Sequence, residues 1–524
     1  MPENHGKSMQ GENGIVSAGS PHAARAGARV LAEGGNAVDA AIATALALAA
    51  ADPINASLFG RTQILGCDAD GSAWAIDGAT AAPRKIARSD RARFLRNGFA
   101  AVPVPGLLNA LAKAHREHGR LPVERLVAPA LALAEDGFVI PTHLGEIWQE
   151  KGAPLAADPG ARKHFLKPDG LCYGPGETFR QPALARLLHG LQTNLTAVFD
   201  DPRERNALAS RIAAAGGHVS ATDLSDIETL PGEVVRTRFQ GYEIVTIGRQ
   251  GWGHSLVEML NILEKSGWTP QDPRFTEAMA LTILCALHDR PQEIGTLKPK
   301  IFGLSFETLA DEGFAQERAA CIEGLLAAQA LPTDFAASFG ARRGSPDRDT
   351  SHLSVVDREG GMVALTTSIG PHFGAGVADE VHGCLFAHSY RMASQPTPSA
   401  RDVTEMTPTI VLRDGRPILS IGAAGSERIP GAVFQVLVNL FVHNMPLAQA
   451  VDAPRLNWTG GALRVHSDFP ESQLRRLLDR GYEIVRTARD HRQHLGIVQA
   501  VMRNEDGGAW GCADPSYDGA SIGG

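Results

Sequence analysis

Residues 36–51 constrain this chain more than any other stretch. Asn36 is a good helix-capping residue, and Asp39 stands where the reciprocal partner of a capping box belongs. Ala40, Ala41, Ile42, Ala43, Ala45, Leu46 and Leu48 then surround the helix with apolar side chains on almost every side. A helix without a polar face must be covered all round. This one is too short and too rich in alanine to span a bilayer, so it belongs inside a layered protein. A second helix, residues 22–33, precedes it and is stopped by Gly34 and Gly35.

The remaining pattern falls into three blocks. In the first, residues 14–137, strands are expected at 63–65 and 72–76 around a turn at 68–71. Residues 102–106 are extended and lead into a helix at 107–118, and another helix follows from Leu121 and Pro122 to Gly137. The second block, about 138–330, reads as mostly helical, with apolar spacing at 184–191, 207–215, 255–263 and 276–288. Short extended pieces such as 243–247 interrupt it. Residues 331–349 are loop chemistry, rich in turn formers and charge without an apolar period. The third block begins at Thr350. Residues 352–356 alternate as a strand, turn at 357–361 and return at 362–367. A hairpin is expected at 409–412 and 417–421 around Asp414-Gly415, a buried helix at 433–442, and closing strands at 495–502 and 509–512. Strands inside and helices outside are compatible with an α/β (α+β) four-layer α-β-β-α sandwich, among other α/β architectures.

The formal net charge of −8 argues against a nucleic-acid partner. The six cysteines are scattered, with no C-x-x-C pair, which suits free thiols in a reducing compartment. The first residues, MPENHGKSMQGENG, contain no apolar core of a secretory signal. A cytoplasmic protein without membrane association is expected.

The change of character at Thr350 carries the chemistry. A threonine hydroxyl is a weak nucleophile at neutral pH. If the chain were cut between Asp349 and Thr350, the new α-amine, titrating at about 8, would lie beside that hydroxyl as a general base. A flexible upstream segment would let the Asp349 carbonyl be held against the Thr350 hydroxyl for an N-to-O acyl shift. Alone, Thr350-Ser351-His352 is equally compatible with an ordinary strand start.

The surrounding segments decide the matter. Residues 14–17 and 31–41, 102–106, 118–122, 128–130, 134–138, 349–357, 373–376, 408–412, 450–455 and 513–519 resemble, in order, the γ-glutamyltranspeptidase family of N-terminal nucleophile hydrolases. Only about 140–330 is loosely similar. The resemblance implies the four-layer sandwich, cleavage into a large chain 1–349 and a small chain 350–524 that stay associated, and Thr350 as the nucleophile that forms an acyl-enzyme. Ser368 occupies the place of the hydroxyl residue that supports the nucleophile. Gly425 and Ser426 occupy the place of two consecutive backbone amides that form the oxyanion hole, with Ser426 where the family has glycine. No cofactor is implied. His352, His372 and His388 have no spacing that requires a metal.

The glutamyl pocket departs from the family pattern. Ala79 and Thr80 stand where the family has an Arg-Glu pair, Gly370 replaces an Asn, residues 387–392 replace the run whose acid binds the substrate amine, and Thr404-Glu405 replace a Ser-Ser pair. Loss of a charge pair that fits a zwitterionic glutamyl group should abolish that preference. Arg61, Arg391 and His372 are candidate substrate contacts, and His388 and Glu405 are further polar groups nearby. The resemblance therefore points to a self-processing amidohydrolase or acyltransferase acting on a small amide. Family relatives with altered pockets include oxamate amidohydrolase and cephalosporin (glutaryl) acylases. Two alternatives stand beside it: a γ-glutamyl hydrolase or transpeptidase with a rebuilt pocket, and a non-catalytic relative that binds a small acid. A homo-oligomer of the paired chains is compatible with all three.

Overall fold

In the computed structural model, residues 8–11, 13–86, 97–227, 229–290, 304–328, 348–389, 397–459, 461–504 and 507–524 are described. Two seven-stranded antiparallel sheets form the centre, with strands numbered in chain order. One runs β1 (Ser8–Gly11), β18 (Ala509–Ala513), β17 (Ile497–Arg503), β13 (Arg416–Ala424), β12 (Thr409–Arg413), β9 (Tyr242–Ile247), β8 (Val234–Phe239). The other runs β19 (Ala520–Gly523), β2 (Gly14–Ala18), β10 (Arg348–Asp357), β11 (Met362–Pro371), β3 (Arg61–Cys67), β4 (Ala73–Gly78), β7 (Leu230–Pro231). Two small separate sheets pair β5 (Phe138–Val139) with β6 (Thr178–Phe179) and join β14 (Leu456–Thr459), β15 (Ala462–His466) and β16 (Ile484–Thr487).

Alternation along β10 shows how the layers meet. Leu353 and Val355 face outward and pack with the helices α1 (Pro21–Ala32) and α2 (Ala37–Ala51). Val356 faces inward and packs with Ile410 and Val501 of the opposite sheet. Side chains two apart share a face of a strand, so one strand serves both cores. The far side of the other sheet is covered by the helices Gly253–Ser266, Phe275–Asp289 and Ile429–Phe441. The architecture is the expected four-layer α-β-β-α sandwich.

Every residue of α2 is buried. Its cap forms as expected: the Asn36 side chain accepts from the Asp39 N–H at 2.9 Å, and Asp39 accepts from the Asn36 N–H at 3.1 Å. Asp39 also accepts from the backbone N–H groups of Arg120 and Leu121, at 2.9 and 3.1 Å. One carboxylate thus ties the start of the buried helix to a turn eighty residues away.

The block 138–330 is mostly helical, as expected, and what the sequence did not mark is how its strands join the central sheets. Its extended piece at 243–247 is the strand β9, and β8 beside it completes an edge of a central sheet. On β8, Val-Val-Arg-Thr-Arg-Phe is buried fully only at Phe239. An edge strand with a wet face gives little apolar signal. The block is woven into the sandwich rather than appended to it.

His352 sits between the sheets. Its Nδ1 lies 2.8 Å from the Thr366 hydroxyl and its Nε2 lies 3.1 Å from the Ser354 hydroxyl. A Cβ on Gly422 would come within 2.3 Å of the ring, so the facing strand needs glycine there. Burial favours the neutral imidazole and lowers its pKa to about 3. The unfolded chain takes up this proton near pH 6.5, whereas the folded chain holds it off until about pH 3. The stabilisation is therefore complete above pH 6.5 and declines as pH falls, by about 1.4 kcal/mol per pH unit. Urea unfolding should show stability falling from pH 7 to pH 5, with a shallower slope for His352→Gln. An unchanged slope in the variant would contradict this account.

Candidate active site

The ladder between β10 and β11 shifts register at one end. Asp349 pairs with Gly370, and Ser351 pairs with Thr367. Two steps on β10 are matched by three on β11, so Thr350 faces both Ser368 and Ile369. A bulge of this kind bends the strand and re-aims a side chain. Gly370, just beyond it, has φ +97°, a conformation that favours glycine. Its N–H donates to the Ser368 hydroxyl at 2.9 Å.

The half-buried Thr350 meets the second sheet here. The Gly425 N–H donates to Thr350 Oγ1 at 3.2 Å. Gly425 follows β13 directly and leads through the 3₁₀ turn Ser426–Arg428 into the helix Ile429–Phe441. It has φ +127° and ψ 30°, and a Cβ there would lie 2.9 Å from the His494 ring. Ser426 also adopts positive φ, +55°, where the family has glycine. At a ψ of 30° the two consecutive nitrogens lie on the same side of the turn, so both amides can face one acceptor. Thr350, Ser368, Gly425 and Ser426 are thus brought to one end of the sandwich. Asp349 lies on β10 beside them.

Arg61 begins β3 and pairs with Ser368 in register. Its side chain is 1% exposed. The guanidinium contacts the Asp402 carboxylate at 3.2 Å and donates to the His388 carbonyl at 3.3 Å. Asp402 also accepts from Thr80 Oγ1 at 2.6 Å and Ser389 Oγ at 3.1 Å. Two of the positions that depart from the family pattern, Thr80 and Ser389, are therefore linked with Arg61 through Asp402, which the sequence reading missed. Nothing local marks it, because its partners Arg61 and Thr80 are more than three hundred positions away. His372 follows β11, with Nδ1 3.2 Å from Asn55 Oδ1. Asn55 donates in turn to Asp52 Oδ1 at 3.0 Å. This polar chain, also unmarked in the sequence, borders the bulge because the Ile369 N–H donates to the Asn55 carbonyl at 3.2 Å. Arg391 lies outside the described residues.

A threonine at the lip of a two-sheet sandwich, beside paired backbone amides, is the arrangement of an N-terminal nucleophile hydrolase. A model of the family described as Gamma-glutamyltranspeptidase matches residues 23–524. The chain belongs to the γ-glutamyltranspeptidase family. It is 32% identical to the acylase ACY 1 proenzyme of Pseudomonas sp. (strain V22), over 98% of this chain and 94% of that protein. It is 27% identical to the glutathione hydrolase proenzyme of Escherichia coli (strain K12), over 97% of this chain and 91% of that protein. The crystal structure of a cephalosporin acylase from Bacillus halodurans shares the fold, with a TM-score of 0.86 at 24% identity, covering 100% of this chain and 98% of that one. The chain is an enzyme of the N-terminal nucleophile amidohydrolase class.

Removing one member of a buried ion pair leaves an uncompensated charge, at a cost of about 3–5 kcal/mol. Asp402→Ala should lower unfolding free energy by that order, and Arg61→Met combined with Asp402→Ala should recover much of it. Equal losses in Asp402→Ala and the double variant would contradict the view that Asp402→Ala leaves an uncompensated charge on Arg61.

Proposed function

We propose that Thr350 is the nucleophile and that it is released by self-cleavage of the Asp349–Thr350 bond. The observation that carries this reading is the Gly425 N–H on Thr350 Oγ1 at the bulge. The Thr350 oxygen attacks the Asp349 carbonyl carbon, the C–N bond breaks, and the hydroxyl proton passes to the departing amine. Water then hydrolyses the resulting ester, leaving a carboxylate on Asp349 and restoring the Thr350 hydroxyl. The products are chains 1–349 and 350–524, held together by the β2–β10 and β3–β11 ladders. In turnover the freed α-amine is the general base, Ser368 supports the hydroxyl, and the Gly425 and Ser426 amides receive the negative charge of the tetrahedral intermediate.

The substrate in this reading is a small amide whose acyl part is not γ-glutamyl. The acylase relatives support it, as does the loss of the acid that would bind a glutamyl amine. Arg61 lies on the strand beside Ser368, but its charge is already met by Asp402, so a substrate carboxylate would compete with that partner. A glutaryl amide differs from a γ-glutamyl amide only by lacking the α-amine, which makes the two a minimal comparison. Hydrolysis of glutaryl-p-nitroanilide should exceed that of γ-glutamyl-p-nitroanilide by at least about tenfold in kcat/KM. The reverse order would overturn the substrate reading and favour the γ-glutamyl alternative. On a denaturing gel, purified protein should run as two bands and Thr350→Ala as one full-length band. Identical patterns for the two would sink the self-cleavage proposal.

A further inference from the structure

We infer that Arg428 is the positioning residue of the amide pair that serves Thr350. The inference rests on the reading of Thr350 as nucleophile and goes further by naming what holds the turn in place. Arg428 closes the 3₁₀ turn and is half-buried. Its Nε donates to the Gly425 carbonyl at 2.8 Å, and its backbone N–H donates to the same oxygen at 3.2 Å. Its Nη1 donates to the His494 carbonyl at 3.1 Å.

The consequence follows from peptide planarity. The Gly425 carbonyl and the Ser426 N–H belong to one trans peptide and point in opposite directions. Holding the carbonyl on the Arg428 side therefore directs the Ser426 N–H the other way. The Gly425 N–H is already on Thr350 Oγ1, and the ψ of 30° keeps both nitrogens on one side. A flip of this peptide would withdraw the Ser426 donor and replace it with a carbonyl oxygen, which would repel a developing oxyanion. Without side-chain restraint, residues of positive φ in a tight turn are prone to such exchange.

The His494 contact fixes the turn from the other side. The His494 ring occupies the space a Cβ on Gly425 would need, and its Nδ1 accepts from the Gly496 N–H at 3.3 Å. Arg428 thus bridges two carbonyls on segments that enter and leave neighbouring strands of one sheet. A guanidinium suits this task because its planar, fixed fork can address both acceptors at once, whereas a lysine ammonium presents a single point charge.

The test follows self-cleavage, which requires no substrate. Precursor is pulse-labelled in cell-free synthesis, and the half-time of conversion to two chains is read for the wild type, Arg428→Ala, Arg428→Lys and Thr350→Ala. The parallel readout is kcat and KM on glutaryl-p-nitroanilide, with thermal melting as the control for folding. Arg428→Ala should convert at least about tenfold more slowly, as expected for a misplaced oxyanion donor. Its melting temperature should stay near that of the wild type, and its loss in turnover should appear in kcat with KM little changed. Guanidinium chloride at low millimolar concentration should restore part of the rate, and Arg428→Lys should fall between Ala and wild type. A wild-type rate in Arg428→Ala would overturn the inference. So would a slow rate accompanied by lower melting and no recovery with guanidinium, because that is a purely structural role. Failure of the wild type to cleave, or cleavage of Thr350→Ala, would instead refute the nucleophile reading on which the inference rests.

Discussion

The bulge between β10 and β11 sets where the Thr350 hydroxyl can go, and the rest of the sandwich keeps that bulge in register. β10 is paired on both sides, by β2 and β11. Its outward residues are fixed against α2, and its inward residues meet the other sheet. A one-residue slip would drive the His352 ring toward the helices and expose Leu353 to the polar contacts that His352 now makes. The strand therefore cannot relax along its length, and the irregularity is confined to the end where Thr350 sits. A side chain carried at the end of rigid, doubly paired strands is held in one place.

Two buried arginine–aspartate pairs bring distant segments to that end. Arg61 and Asp402 join the start of β3 to the loop before β12. Arg455 and Asp514 are both fully buried, and Arg455 also donates to the Gly496 carbonyl at 2.8 Å. Burial raises the pKa of the Asp514 carboxyl, but Arg455 and the N–H groups of Ser516 and Val498 outweigh it and lower the net value. Such pairs are expensive to desolvate and replaceable in stability terms. Their role here is to fix loop geometry. The loop at 494–496 is gripped by Arg455 on one side and by Arg428 on the other, and it backs the turn whose amide reaches Thr350.

Much of this was legible in the sequence because it is local. The capping box at Asn36 and Asp39, the Asp414-Gly415 hairpin and the alternation of β10 each announce themselves within a few residues. Several family-like segments prove to be structural partners: residues 31–41 and 118–122 meet at Asp39, and residues 450–455 and 513–519 meet in the Arg455–Asp514 pair. What the sequence concealed is long-range. Asp402 gathers Arg61, Thr80 and Ser389 from three separate segments, and no spacing rule connects them. β8 was hidden by its wet face, and β19, Ala-Ser-Ile-Gly, has too little apolar content to declare itself. Nothing in the local sequence ties Arg428 to the His494 carbonyl on a distant segment.

Opening of the chain at the single Asp349–Thr350 bond is what would give Thr350 a free amine. The most direct measurement is the N-terminal sequence of the smaller chain isolated from purified protein. Cleavage between Asp349 and Thr350 predicts Thr-Ser-His-Leu-Ser, beginning at Thr350. A small chain that begins at any other residue, or a preparation that contains only the uncut chain, would contradict it.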